Sequence, residues 1–276
     1  MQNTHSTISE ISELELQSKE GSPRAALAYL DGWGINTPNM DAAINAIIRK
    51  ARVATAFTVF TLNLDHLVKL RSDKRFRHAY RNANIVTADG APVAWLARLQ
   101  NKIIARATGS DMLVPLLEAA ADADLPVFFF GSSGDVLTKA ARRLTDCTDG
   151  RLDIVGTLSP SRTFNPEGPE ADMAIESIVR SGARICIVAL GAPKQEIFAE
   201  RARAKGIACG MVCAGASLDF IAGAQIRAPR IFRTCGLEWL WRLVMDPRRL
   251  AKRYAECAIV LADLAVFKPA WRHFFN

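Results

Sequence analysis

The sequence lacks a hydrophobic run long enough to cross a bilayer. The longest apolar stretch near its C-terminus, residues 258–267, has ten residues and includes Asp263, whereas a membrane-spanning helix needs about twenty. The first twenty residues are polar, with four Glu and one Lys, and lack the apolar core of a secretory signal. We therefore expect a cytoplasmic protein without a transmembrane helix.

Cysteine is also scarce, since six residues among 276 are too few for a disulfide scaffold. Four of them, Cys186, Cys209, Cys213 and Cys257, lie in apolar runs and are predicted to be buried free thiols. No Cys-x-x-Cys pair occurs, and no histidine lies near Cys209 and Cys213 to complete a zinc site. With 50% apolar residues, the composition excludes a disordered chain.

Two common phosphate-binding fingerprints are absent as well. Without G-x-G-x-x-G a dinucleotide oxidoreductase is disfavoured, and without G-x-x-x-x-G-K-[ST] a P-loop NTPase is disfavoured. Asp122 and Asp124 match the D-x-D pattern with which many sugar-nucleotide enzymes hold a metal. They fall between a predicted helix and a predicted strand, at the wrong end of the sheet, so we interpret them as a solvated turn. The sequence predicts neither a metal nor a cofactor.

The chain does contain a repeated alternation of short apolar runs and helical patterns. The predicted strands are 56–62, 84–88, 127–130, 152–156, 184–190 and 208–213. The predicted helices are 40–52, 65–71, 92–99, 111–121, 135–144, 169–181 and 194–204. This order predicts an α/β fold, with a mostly parallel sheet and helices on both of its faces.

The alternation stops near residue 226, and the composition changes there. Residues 227–276 contain ten Lys or Arg and four acids, which is +6 of the net charge of +7, and they include several tryptophans. We predict a flexible leader over 1–24, an α/β domain over 25–226 and a basic appendage over 227–276. The appendage has three candidate partners, which are nucleic acid, an anionic membrane and a phosphate-rich substrate.

One predicted appendage helix has a basic stripe and an apolar side, which is typical of interfacial helices. The stripe contains Arg248, Arg249, Lys252 and Arg253, and the apolar side contains Leu243, Val244, Met245 and Leu250. A packed helix with a solvated charged face is the alternative. No helix-turn-helix, RNP-like or zinc signature supports nucleic acid.

Small or polar residues follow five of the predicted strands. These segments are 61–66, 87–92, 131–134, 191–196 and 214–219. Each is typical of an ordinary turn, but open α/β sheets bind ligands at the carboxyl ends of their strands. Five such ends together favour a nucleotide or phosphate ligand.

Three positions in these loops carry candidate chemistry. Asp89 directly follows a strand, where it would serve either as a general base or as the N-cap of the next helix. Arg106 precedes a helix and is either a diphosphate clamp or a surface residue. Asp65 and His66 are adjacent, and adjacent helical residues point apart, so we interpret them as a cap and a surface residue.

Taken together and in order, these strings resemble the TagA/WecG/CpsF glycosyltransferases, family 26, in the branch with the xanthan-type β-glucosyltransferases. The likeness covers about residues 30–255. It rests on Thr61-Leu-Asn63, Ala88-Asp89-Gly90, Arg106 before Thr108-Gly-Ser-Asp111, Phe130-Gly131, Leu190-Gly-Ala-Pro-Lys-Gln-Glu196, Ala214-Gly-Ala-Ser-Leu-Asp219, Arg227-Ala-Pro229, and Gly236-Leu-Glu-Trp239 followed by Arg242.

The resemblance implies an inverting, metal-independent glycosyltransferase with a Rossmann-like domain. Such enzymes move a sugar from a UDP-sugar to a polyprenyl-diphosphate-linked sugar at the cytoplasmic face of the cell membrane, in the synthesis of exopolysaccharide or cell-surface glycan. The appendage would engage that membrane and help to complete the active site. Donors with N-acetylmannosamine or its uronate, and a non-catalytic nucleotide-sugar-binding regulator, are the alternatives. A homo-oligomer is left open.

The resemblance also assigns roles to residues. Asp89 is the expected catalytic base, and Thr61, Asn63, Arg106 and Gln195 line the substrate pocket. Nucleotide contacts are expected from Gly131, Gly191 and Asp219, and phosphate or membrane contacts from Arg248, Arg249 and Arg253. The chain departs from the family at Ala214-Gly215-Ala216, where many relatives have consecutive glycines.

Overall fold

The computed structural model describes residues 26–267, except for the side chains of Arg230, Arg233, Arg249 and Phe267. The predicted leader lies outside the described residues. The strands are β1 (Ala28–Leu30), β2 (Trp33–Ile35), β3 (Phe57–Leu62), β4 (Ile85–Ala88), β5 (Val127–Gly131), β6 (Ile154–Leu158), β7 (Ile185–Ala189) and β8 (Gly210–Cys213). Six of them form one parallel sheet in the order β4-β3-β8-β7-β5-β6, and β1 and β2 form a separate antiparallel hairpin.

The helices alternate with the strands and then continue alone to the end of the described chain. They are α1 (Met40–Arg52), α2 (Leu64–Ser72), α3 (Lys74–Arg81), α4 (Ala91–Arg98), α5 (Gly109–Ala121), α6 (Gly134–Cys147), α7 (Pro169–Arg180), α8 (Lys194–Ala204), α9 (Ser217–Ala222), α10 (Arg230–Thr234), α11 (Glu238–Met245) and α12 (Pro247–Ala262). A π-helical turn over Asp263–Phe267 follows. None of these helices is long and apolar enough to span a bilayer.

Both faces of the sheet are covered, which confirms the predicted α/β class. Alternate strand residues point to opposite faces, so Phe57 and Val59 of β3 belong to one apolar cluster with residues of α1, α5, α6 and α9. Phe60 and Leu62 pack on the other face, with α2, α3, α4, α7 and α8. The four cysteines predicted to be buried are buried and free.

The β4 edge of the sheet is closed by neighbouring loops. The Asn36 side-chain oxygen accepts the Val86 N–H (2.8 Å), and the Asn36 N–H donates to the Val86 carbonyl (3.2 Å). At the end of β4, Ala88 forms an isolated parallel β-bridge with Arg106. This bridge places Arg106 beside the carboxyl end of β4, directly before Asp89.

Residues 227–267, which we call the C-terminal segment, pack onto the sheet and its helices. Val260 and Leu264 are buried in the same apolar cluster as α2. The four predicted basic residues 248, 249, 252 and 253 all lie on α12, but the predicted apolar side is divided, because α11 ends at Met245 and α12 starts at Pro247. As a result, Val244 is exposed whereas Leu250 is buried, so these residues do not form one apolar side.

Candidate active site

Two adjoining cavities lie at the carboxyl ends of the strands. The first has a volume of about 590 Å³, and we call it the polar cavity. The second has a volume of about 300 Å³, and we call it the apolar cavity. Both are lined by Asn63, Asp65, Asp89, Ser110, Arg242, Arg253 and Tyr254.

The loops after β3, β7 and β8 line the polar cavity. Thr61 at the end of β3 and Asn63 after it line the cavity, as do Gly191 after β7, Gln195 in the first turn of α8 and Gly215 after β8. Parallel strands bring their carboxyl ends to one edge, which is why residues far apart in the sequence meet here. The structure therefore brings the predicted pocket residues Thr61, Asn63 and Gln195 together.

The C-terminal segment supplies one wall of the apolar cavity. Its side chains there include Trp239 and Tyr254. The start of α4 supplies another part of the lining, with Ala91 and Pro92. The predicted pocket residue Arg106 lines this cavity. The sequence patterns alone did not place Trp239 or Tyr254 in a site, because helix docking brings them there.

Asp89 lies at the boundary of the two cavities. Its side chain accepts a hydrogen bond from the Asn63 amide (3.4 Å), and its backbone N–H donates to the Leu62 carbonyl (2.8 Å). Removal from solvent raises the pKa of Asp89 to about 6, which the Asn63 amide and the Arg242 guanidinium only partly offset. A carboxylate with this pKa is a suitable proton acceptor near neutral pH.

Asp89 does not serve as a helix cap. The N-cap of α4 is Gly90, and no side chain caps that helix. Gly90 has φ +92°, a conformation that favours glycine, and it turns the chain immediately after Asp89. Of the two roles open to Asp89 from its position, the N-cap role is wrong.

Asn63 links the end of β3 to Asp89. Its side-chain oxygen accepts the His66 N–H (2.9 Å) and so caps α2. This hydrogen bond leaves the amide nitrogen of Asn63 to face Asp89. One side chain therefore starts a helix and orients the candidate base.

Each arginine in the site has its own carboxylate partner. Arg242 donates to Glu238 (2.7 Å), and Arg253 lies 3.0 Å from Asp65. Arg106 lies 4.0 Å from Asp111. Such pairs hold cations in place before a ligand arrives.

Asp111 also binds a second arginine, Arg227, at 2.5 Å. Burial disfavours the charged carboxyl group, but hydrogen bonds from Arg227 and Thr108 outweigh burial and lower the pKa of Asp111. The Thr108 hydroxyl also caps α5. Asp111 thus stays ionised between Arg106 and Arg227.

The predicted appendage arginines differ in their positions relative to the two cavities. Arg253 lines both cavities. Arg248 is exposed and lines neither of the two, and the Arg249 side chain is outside the described part of the structure. Arg242 lines both cavities, although only its place in the family pattern pointed to it.

A buried polar network borders the polar cavity, and two of its members, His66 and Gln195, line that cavity. The Gln195 amide nitrogen donates to Glu196 (2.8 Å), and the Gln195 oxygen accepts the Gly215 N–H (3.1 Å). His66 lies between Tyr80 (2.6 Å) and Glu196 (3.8 Å). The network fixes the orientation of the Gln195 side chain and ties the loop after β7 to the loop after β8.

Two members of this network have strongly shifted pKa values. Burial lowers the pKa of His66 to about 3 and raises that of Glu196 to about 7. The prediction that His66 is a surface residue is wrong, because only 4% of it is exposed. Phe76 and Tyr80 of α3 cover its ring, and α3 was not predicted.

The predicted nucleotide-contact residues are divided between two places. Gly191 lines the polar cavity. Gly131 and Asp219 do not line it, and they lie near the end of β5. Asp219 accepts a hydrogen bond from the Ser132 hydroxyl (3.1 Å). Gly131 lies so close to the Ala189 carbonyl group that a side chain at this position would collide with it.

Asp122 and Asp124 lie away from both cavities. Asp122 is exposed and forms an ion pair with Arg151, and Asp124 is in a turn before β5. This agrees with their interpretation as a solvated turn. Among residues 26–267, no group of three or more His, Cys, Asp or Glu is placed to hold a metal ion.

Comparison with models of known protein families gives a match over nearly the whole described chain. Residues 28–273 match the model described as "Glycosyl transferase WecG/TagA/CpsF family". The match includes both the strand-end loops and the C-terminal segment that together form the two cavities.

Proposed function

The chain belongs to the WecG/TagA/CpsF glycosyltransferase family, and from this we propose its reaction in more detail. The enzyme transfers a hexose from a UDP-sugar to a polyprenyl-diphosphate-linked sugar, with inversion at the anomeric carbon and without a metal. It acts at the cytoplasmic face of the cell membrane, in the synthesis of exopolysaccharide or cell-surface glycan.

The observation that carries this proposal is the position of Asp89 between two cavities of different character. The polar cavity is bordered by loops at strand ends, and the backbone N–H groups of such loops suit a nucleotide-sugar. The apolar cavity has a wall of Trp239, Tyr254 and Leu261, which suits a sugar attached to a lipid. A base at their boundary lies where donor and acceptor would meet.

Inversion requires a single in-line displacement. The acceptor hydroxyl oxygen forms a bond to the anomeric carbon while the bond from that carbon to the UDP oxygen breaks. Asp89 takes the hydroxyl proton, and UDP departs with the electron pair of the broken bond. The pKa of about 6 leaves Asp89 mostly ionised at neutral pH and still basic enough for this transfer.

The departing diphosphate gains negative charge, and three arginines line the cavities. Arg106, Arg242 and Arg253 are held by Asp111, Glu238 and Asp65, respectively. We assign them to charge stabilisation of the diphosphate, since prepositioned cations stabilise developing charge. Of these three, Arg253 belongs to the arginines predicted to make phosphate or membrane contacts, and Arg242 is added here.

The chemistry is tested by measuring UDP release from a panel of UDP-sugars, with a mixed pool of polyprenyl-diphosphate-linked sugars and EDTA. We expect release with one neutral hexose donor. Release with N-acetylmannosamine or its uronate would instead establish a different donor, and release only with magnesium would overturn metal independence. UDP binding without release from any donor would favour a non-catalytic nucleotide-sugar-binding regulator.

A further inference from the structure

A row of exposed apolar side chains lies on α4 and the loop after it. Trp95 is 45% exposed, Leu99 is 49% exposed and Ile103 is 93% exposed. Tyr29 of the β1–β2 hairpin is 56% exposed, and its carbonyl accepts the Gln100 side-chain amide at 2.8 Å. We call Tyr29, Trp95, Leu99 and Ile103 the α4 patch.

The α4 patch is continuous with the rim of the apolar cavity. Ala91, Trp95 and Leu99 are spaced four residues apart, so they lie along one face of α4. Ala91 lines the apolar cavity and lies close to Gly236 of the C-terminal segment. An apolar surface therefore runs from the cavity along α4 to the exposed loop.

The charged residues of α4 and of the loop after it have a single sign. Residues 91–108 contain Arg98, Lys102 and Arg106 and no Asp or Glu. Arg98 and Lys102 are exposed beside the apolar residues. Exposed aromatic and aliphatic side chains interleaved with cations are the pattern of surfaces that lie at an anionic lipid interface.

We propose that the α4 patch docks on an anionic phospholipid bilayer, as a membrane contact within the α/β domain that is separate from the basic C-terminal segment. Trp95, Leu99 and Ile103 enter the interface, and Arg98 and Lys102 contact lipid phosphates. This contact turns the mouth of the apolar cavity toward the membrane. The inference rests on the proposed function, since it supplies the route for a lipid-linked acceptor.

The test is sedimentation of the full chain with vesicles containing about 30% phosphatidylglycerol in phosphatidylcholine, at about 150 mM salt. We expect the variant Leu99→Ser/Ile103→Ser to need about tenfold more lipid for half-maximal binding. The matched control is Met173→Ser/Val179→Ser on α7, which changes side chains that are 60% and 54% exposed. The control should bind as the unmodified chain does. Thermal unfolding checks that both variants are folded.

Transfer to a detergent-dispersed acceptor separates this inference from the proposed function. If the unmodified chain transfers sugar there but the patch variant sediments like the control, the α4 patch is not a membrane contact and the proposed function stands. If the unmodified chain transfers nothing to any acceptor, the proposed function itself fails. Dissociation of a dimer in the patch variant, with vesicle binding unchanged, would assign the patch to a second copy of the chain.

Discussion

At the scale of single residues, the proposed chemistry depends most directly on the carboxyl group of Asp89. Its amide neighbour Asn63 is 3.4 Å away, so the charged form receives little direct stabilisation. The variant Asp89→Asn keeps the shape of the side chain and removes the base. We expect turnover to fall by about 10²–10⁴-fold, with UDP affinity nearly unchanged. UDP release and UDP titration measure the two quantities, and near-normal turnover would remove Asp89 from the role.

The raised pKa of Asp89 also predicts a pH profile. Only the ionised carboxylate accepts a proton, so kcat/KM should fall about tenfold per pH unit below about pH 6. An aspartate with an ordinary pKa would keep its activity down to about pH 4. UDP release measured between these values distinguishes the two cases, and a flat profile down to about pH 5 would contradict the burial argument.

Glu196 is expected to make stability depend on pH. Burial raises its pKa to about 7, so the folded state binds the proton more tightly than the unfolded state. This contribution is complete below about pH 4.5 and is lost as the pH rises through about 7. When the pH rises from about 5 to about 8, the free energy of unfolding of the unmodified chain should therefore fall by about 2–3 kcal/mol more than that of Glu196→Gln. Urea unfolding of both proteins at the two pH values measures this difference. Equal falls in the free energy of unfolding would contradict the raised pKa of Glu196.

At the scale of elements, α12 is held on α2 by ion pairs as well as by apolar contacts. Arg253 pairs with Asp65, which also binds Lys69 one turn along α2. Asp65 is only 8% exposed. At the other end of α2, Arg71 contacts Asp263. These contacts set the position of one wall of the apolar cavity.

The variant Asp65→Asn should loosen this wall. It leaves Arg253 without its carboxylate partner, so we expect kcat/KM for a polyprenyl-linked acceptor to fall about 10–100-fold, as for a misplaced substrate-positioning group. Acceptor titration in the UDP-release assay gives this value. The control Asp172→Asn removes an acid that pairs with Arg201 and Lys205 on the surface, and its activity should stay normal. Equal losses in both variants would contradict the positioning role.

Elements with a clear apolar period were predictable, and the others depended on tertiary contacts. All six sheet strands and helices such as α1 and α8 follow from the sequence pattern. The three-residue strands β1 and β2 are too short to show a period. The helix α3 has eight residues and buries Phe76, Ala79 and Tyr80 at positions i, i+3 and i+4, so the sequence carries its helical period and the prediction missed it.

The same distinction applies to the site. Thr61, Asn63, Asp89 and Gln195 lie at or just beyond the carboxyl ends of strands, and parallel topology brings such residues together. The side chains Trp239, Arg242 and Tyr254 reach the cavities because α11 and α12 dock on the domain. Such docking depends on contacts between distant segments, which local patterns do not encode.

At the scale of the whole molecule, positive charge is concentrated in the last fifty residues, which carry +6 of the net +7. Surface attraction to anionic lipid adds about 1 kcal/mol per cation and weakens with salt. We expect the chain to sediment with anionic vesicles at about 150 mM salt and not with neutral ones, and to leave duplex DNA unbound there. Tight DNA binding at that salt concentration would reverse the assignment of this segment.

The wall of the apolar cavity consists partly of residues 236–261, which follow every strand of the sheet in the chain. During synthesis the sheet, Asp89 and the strand-end loops are therefore complete before this wall exists. Domains fold progressively as they emerge from the ribosome. Under the proposed function, a nascent chain would hold its base and its nucleotide-sugar loops before it had a place for the lipid-linked sugar, and transfer would begin only after α12 had docked.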